Sequence, residues 1–154
     1  MASRQAGTCA AGYGWFCEGL KYVSVLTWLY IANSVLLIVH EIDSAYWQEW
    51  KLFKLPGGIT FFLVIHLPLV FLILWGLVQL QQNNLAGYAI SLLLAVAGIF
   101  AFTIHMVFMA KGNREFKTPL SIVLLIAILA VSIIQAWFTV YSHPGVVFPS
   151  CACQ

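Results

Sequence analysis

The sequence predicts an all-α membrane protein of four antiparallel transmembrane helices, with a short interfacial helix between the first and second. Three observations predict it. Hydrophobic residues make up 62% of the 154 residues and charged residues 8%, against roughly a quarter charged in a soluble domain. The mean hydropathy is +0.95. Four apolar runs, each near the roughly 20 residues that span a hydrocarbon core of about 30 Å, are separated by short polar breaks. Such runs use nearly the whole chain, giving one domain over residues 19–142 between tails at 1–18 and 143–154. The net charge of +2 is small and its basic residues are scattered, which excludes nucleic acid as a partner. The expected partners are the lipid bilayer, a lipid-soluble substrate, and a further copy of the chain or a larger membrane complex.

The N-terminal tail is rich in Gly and Ala and carries Tyr13, Trp15 and Phe16. It lacks the apolar run of a secretory signal, so it is expected to meet the membrane through its aromatics. The first span covers about 20–43. Tyr30, Asn33, His40 and Ser44 recur at helical spacing and share one stripe, which Asp43 joins one turn beyond His40. Glu41 points about 100° away from His40. Residues 46–58 mix Trp47, Trp50 and Phe53 with Glu49, Lys51 and Lys54 and close on Pro56-Gly57-Gly58, the composition of a membrane-boundary helix followed by a turn. The second span, about 59–80, is interrupted by His66, Pro68 and Gly76, with Pro68 predicting a kink beside His66. Gln79 to Asn84 then reads as a tight loop. In the third span, about 85–110, Gly87, Ser91, Leu94, Gly98, Ala101 and His105 form a stripe of mostly small residues suited to close helix approach in lipid. Pro119 opens the fourth, about 119–141, whose polar stripe is Ser121, Ser132, Gln135 and Thr139.

Lys51, Lys54, Lys111, Arg114 and Lys117 lie in the loops after the first and third spans, against Arg4 and Lys21 on the side of the termini. The positive-inside rule then places both termini outside the cytoplasm. Cys9, Cys17, Cys151 and Cys153 all fall in the tails, on one face of the membrane. An oxidising compartment would allow one or two disulfides between them, with free thiols as the alternative. The ending Cys151-Ala152-Cys153-Gln154 fits a prenylation signal only loosely, since its second middle position is not aliphatic.

Helix rise puts His40, His66 and His105 about 7, 12 and 9 Å from the same membrane face, so they form one layer. Ionisable residues in spans are costly and tend to mark sites. With Asp43, these histidines make a first shell for zinc or non-haem iron, and three protein ligands with an open position suit a metal that activates water. Glu41 or Glu49 would stand behind that shell or serve as general base. No ligand pair has the HExxH spacing. Two readings compete: haem b ligated axially by His66 with His105 or His40, or a structural lock of His40, Asp43, His66, His105 and Ser121 in a non-enzymatic accessory or scaffold subunit. Polar residues are too few along the full depth to suggest a pore.

The run His40 to Gly58, HEIDSAYWQEWKLFKLPGG, resembles that of a family of small bacterial four-span membrane proteins of unknown function. In that family a His-Glu-Ile-Asp-Ser-Ala-Tyr-Trp run ends the first span and a Leu-Pro-Gly-Gly turn precedes the second. The resemblance implies four helices and no assigned activity, and it covers about twenty residues.

Overall fold

The computed structural model describes residues 12–54, 56–112 and 118–142, with side chains from residue 25 onward. Five helices follow in order: α1 (Gly12–Tyr46), α2 (Glu49–Leu52), α3 (Gly58–Gln81), α4 (Leu85–Ala110) and α5 (Pro119–Ser142). Four are long and apolar enough to cross a membrane, the first through its Val25–Tyr46 portion. The chain is therefore a multi-pass integral membrane protein with a short helix between its first two spans. Its outward surface agrees, because large apolar side chains such as Leu67, Phe71 and Leu120 are 71–77% exposed. Cys9, Cys151, Cys153, His143, Arg114, Lys117 and the side chain of Cys17 lie outside what is described, and the tail disulfides with them.

α1 packs on α5, α5 on α4, α4 on α3 and α3 back on α1, with α1 and α4 also meeting across the centre. The α1–α3 seam is more open than α1–α5, and α2 sits at its end, touching both. Leu26, Tyr30, Leu37, Leu80, Tyr88, Ile90, Leu94 and Ile128 form the core. In lipid such a core gains little from apolar burial, and close packing and interhelical hydrogen bonds carry association instead. Gly98 lets α4 approach α5, since a Cβ there would fall on the Ser132 hydroxyl. One at Gly87 would fall on the α3 backbone at Gln79 and Leu80.

The predicted stripes are the buried ones. Tyr30, Asn33, His40 and Ser44 on α1, Ser91, Leu94, Gly98 and His105 on α4, and Ser121, Ser132, Gln135 and Thr139 on α5 all face inward. Three of these helices are joined by one polar network. Asn33 Nδ2 donates to Gln135 Oε1 at 2.7 Å, and Ser132 Oγ donates to Asn33 Oδ1 at 3.2 Å. Gln135 Nε2 donates to the Ser91 carbonyl and hydroxyl at 3.1 and 3.0 Å, and Ser91 and Thr139 hydroxyls meet at 2.8 Å. Asn33, Gln135, Ser91 and Ser132 are fully buried, so this network fixes the rotation of α1, α4 and α5.

Two boundaries differ from expectation. α1 begins at Gly12 and continues through Tyr46 rather than ending near residue 43, because Glu41 and Asp43 add charge without removing a backbone donor. The expected short helix and turn within 46–58 are there, the helix being four residues long, bounded by left-handed backbone at Gln48 (φ 57°) and Lys54 (φ 52°) and followed by Gly57 (φ 84°) and Gly58 (φ 60°). Glycine accepts such angles without strain, which explains its place in the turn that redirects the chain into α3. At the other end, Asn84 caps α4 through the Ala86 N–H. Thr118 accepts from the Ser121 N–H, with Pro119 in the first helical position, where its missing donor is no loss.

Candidate functional site

Where α1, α3 and α4 diverge beneath α2, they enclose a cavity of about 810 Å³. Its walls are mostly aliphatic and aromatic, and its polar groups are His40, Glu41, Ser44, Glu49, His66 and His105. All three predicted histidines therefore line one space. Leu63, Leu69, Leu93 and Phe100, also in its wall, are 50–64% exposed, so its rim opens onto the surface that meets acyl chains.

The histidines are arranged as two carboxylate pairs. His66 Nδ1–H donates to the Phe62 carbonyl at 2.6 Å, one turn back on α3, while its Nε2 lies 2.7 Å from Glu41 Oε2 on α1. His105 Nδ1–H donates to the Ala101 carbonyl at 2.7 Å on α4, and its Nε2 lies 2.9 Å from Glu49 Oε1 on α2. A carbonyl oxygen can only accept, so each Nδ1 carries a hydrogen. The contact between Nε2 and carboxylate then needs one further proton. It sits on the imidazole, giving an ion pair, or on the carboxyl, giving two neutral groups. Each pair holds one such proton and has zero net charge either way, which limits the cost of burying it. The His105–Glu49 pair is the more enclosed, at 3% and 5% side-chain exposure, against 19% and 39% for His66–Glu41.

Aromatic contacts hold the assembly. The His40 ring meets His105 edge-on at 4.7 Å between centroids, Phe62 lies 4.0 Å from the His66 ring, and Trp50 of α2 lies 5.6 Å from Phe62. Among the described residues no hydrogen bond reaches the His40 ring nitrogens. One turn further along α1, the Ser44 hydroxyl is buried with no hydrogen-bond partner among the described residues.

The four expected ligands do not converge on one point in this arrangement. Asp43 is absent from the cavity wall, because it lies on the opposite side of His40 from Glu41, and it is the Glu41 side of α1 that faces α3. Among the described residues, no group of three or more His, Cys, Asp or Glu side chains stands where one metal ion could be held. Zinc or iron would need the Nε2 lone pairs of His66 and His105, and both are directed at carboxylates. The same engagement leaves neither ring presenting its Nε2 to a haem iron, so the residues as placed do not fit a bis-histidine haem. Ser121 takes no part in the histidine layer, since its hydroxyl bonds to Thr118 at 2.5 Å; the α1–α4–α5 contacts are joined by the Asn33–Gln135 network, and the histidine pairs link α1 to α3 and α2 to α4. Glu41 gains a direct partner rather than standing behind a metal. Glu49 had equal claim as a base in the sequence, and its signal was an acid set among membrane-boundary aromatics.

A family model described as a family of unknown function, DUF6713, matches residues 26–142. The chain belongs to DUF6713. The DUF6713 match reaches well beyond His40–Gly58 and takes in all of α3, α4 and α5, hence both members of each histidine–glutamate pair. It assigns the family no activity. No curated protein and no solved structure matches the chain.

Proposed function

We propose that this protein binds a lipid-soluble molecule from the bilayer and presents to it two proton-bearing histidine–glutamate pairs. The observation that carries the reading is the placement of both pairs in the wall of one apolar, laterally open cavity. Ligand sites are typically apolar spaces of roughly 300–1,000 Å³ with a few convergent polar groups, and this cavity fits that description. Ionisable groups within spans usually serve a site. Each pair can pass its proton between nitrogen and oxygen without changing net charge, which suits hydrogen-bonded contact with a ligand or proton exchange with it. On the charge count of the loops, the α2 end of the bundle faces the cytoplasm.

The test is extraction of the protein purified in mild detergent without chelator, with mass spectrometry of what co-purifies, alongside Ala97→Trp. Ala97 lines the cavity from the exposed side of α4, so the indole fills space without entering the core. A lipid species enriched over the bulk extract and lost in Ala97→Trp is the expected result. An extract matching bulk lipid in both proteins would refute the reading. Elemental analysis and an absorption spectrum on the same sample address the rival sites. Stoichiometric zinc or iron lost in His105→Gln would replace the proposal with a metal centre, and a Soret band would replace it with haem.

A further inference from the structure

We infer that the cavity selects an uncharged long-chain lipid whose head bears a hydroxyl or carbonyl oxygen, and that His40 and Ser44 receive that oxygen. The inference rests on the binding reading above and deepens it through charge and through unused hydrogen-bonding capacity.

The charge argument comes first. Among the described residues no Lys or Arg lines the cavity. Lys51 and Lys54 of the neighbouring segment are exposed, and neither is part of the wall. Each histidine–glutamate pair sums to zero, and no carboxylate lies within ion-pair distance of His40 among the described residues. A phosphate, sulfate or carboxylate head would enter an apolar space without a fixed counter-charge, and an unpaired buried charge is strongly disfavoured. A quaternary ammonium head has no carboxylate to itself, because Glu41 and Glu49 are both engaged. The walls therefore discriminate against either sign of charge while their aliphatic surface accommodates a chain.

The second observation is independent of charge. Buried polar groups almost always have partners, yet among the described residues the Ser44 hydroxyl, at 2% residue exposure, has none, and no hydrogen bond from them reaches the His40 ring, at 4%. They are four residues apart on α1 and thus stacked on one face, and both line the cavity. A hydroxyl that can rotate and an imidazole with one donor and one acceptor nitrogen match an oxygen that accepts and, in an alcohol, also donates. The paired residues hold their own proton inventory, so the uncommitted capacity belongs to His40 and Ser44.

The experiment uses the full chain in phosphatidylcholine nanodiscs, measuring saturable binding of radiolabelled hexadecanol above empty discs. Unlabelled hexadecanol, hexadecyl sulfate, hexadecyltrimethylammonium and a short-tailed benzoquinone serve as competitors. Hexadecanol or the benzoquinone is expected to compete at least tenfold better than either charged amphiphile, and the better of the two identifies the head as hydroxyl or carbonyl. Ser44→Ala forfeits no hydrogen bond to the described residues and is expected to fold; its affinity for the preferred ligand falls about threefold to tenfold, the scale of one hydrogen bond. Charged amphiphiles competing as well as the neutral ones would overturn the selectivity while saturable binding upheld the cavity. Unchanged affinity in both Ser44→Ala and His40→Phe would overturn the head-group assignment. No saturable binding, with Ala97→Trp indistinguishable from wild type, would remove the cavity reading as well.

Discussion

Separating His105 from Glu49 tests the central contact of the site. Both side chains are almost wholly enclosed and lie 2.9 Å apart, so removing one strands the other. His105→Leu leaves a carboxyl at 5% exposure without its partner. Glu49→Leu takes from the His105 Nε2 its carboxylate contact. Breaking a buried pair from one side costs about 3–5 kcal/mol, so each single change should lower the unfolding free energy by about that amount. Replacing both with leucine removes the stranded group and should cost no more than about 1–2 kcal/mol, because apolar substitutes for a buried pair are often neutral. Glu49→Gln keeps a donor for Nε2 through its amide and should cost only about 1 kcal/mol, the scale of one hydrogen bond. The resulting double-mutant coupling exceeds about 4 kcal/mol even at the low end of these figures, beyond the usual range for neighbours. Equilibrium unfolding in mixed micelles, followed by circular dichroism, measures all four variants on one scale. Additive costs in the double variant would refute the pairing, and Glu49→Gln as damaging as Glu49→Leu would refute the proton inventory.

Other consequences follow from the same contacts. Gln135→Ala deprives Asn33 and Ser91 of their shared partner and should destabilise the bundle by about 2 kcal/mol, near the top of the range for hydrogen bonds between membrane helices, as read by the same unfolding assay; a smaller loss in Thr139→Ala is expected, since Ser91 retains Gln135. Gly98→Ala drives a methyl into the Ser132 hydroxyl and should cost about 1–3 kcal/mol, the usual penalty for overpacking, with Ser132→Gly restoring part of it in the double variant. Gly57→Ala meets both a φ of 84° and the Phe61 Cβ at 2.9 Å, so a loss of at least about 1 kcal/mol is expected, together with faster protease cleavage in the α2 segment. An unchanged cleavage pattern would show that α2 does not depend on this turn for its seat over the cavity.

The bundle was legible in the sequence because its determinants are local. Apolar length sets a span, 3.6-residue periodicity sorts each helix into faces, and Pro and Gly mark the turns. The stripes Asn33–His40–Ser44 on α1 and Ser121–Ser132–Gln135–Thr139 on α5 needed no knowledge of their partners to be read as inward. Helix rise alone placed His40, His66 and His105 in one layer, and all three line one cavity. Boundaries were less legible where charge suggested an end that the backbone had no reason to make, as at Glu41 and Asp43 within α1.

Which groups meet within that layer was decided by tertiary structure. Periodicity fixes the angle between Glu41 and Asp43 on α1, but the direction in which α3 lies is set by how α1 packs against α5 and α4. That packing turns Glu41 toward His66 and leaves Asp43 outside the cavity. Glu49 reaches His105 because α2 folds back over the bundle end through left-handed residues at Gln48, Lys54 and Gly57, a path no periodicity encodes. The sequence by itself thus determined the four spans, their inner faces and the common level of the three histidines that line one cavity, all of which depend on spacing along one helix. The two histidine–glutamate pairs and the cavity that His40 and Ser44 also line depend on rotation and approach between helices, which only the packed bundle supplies.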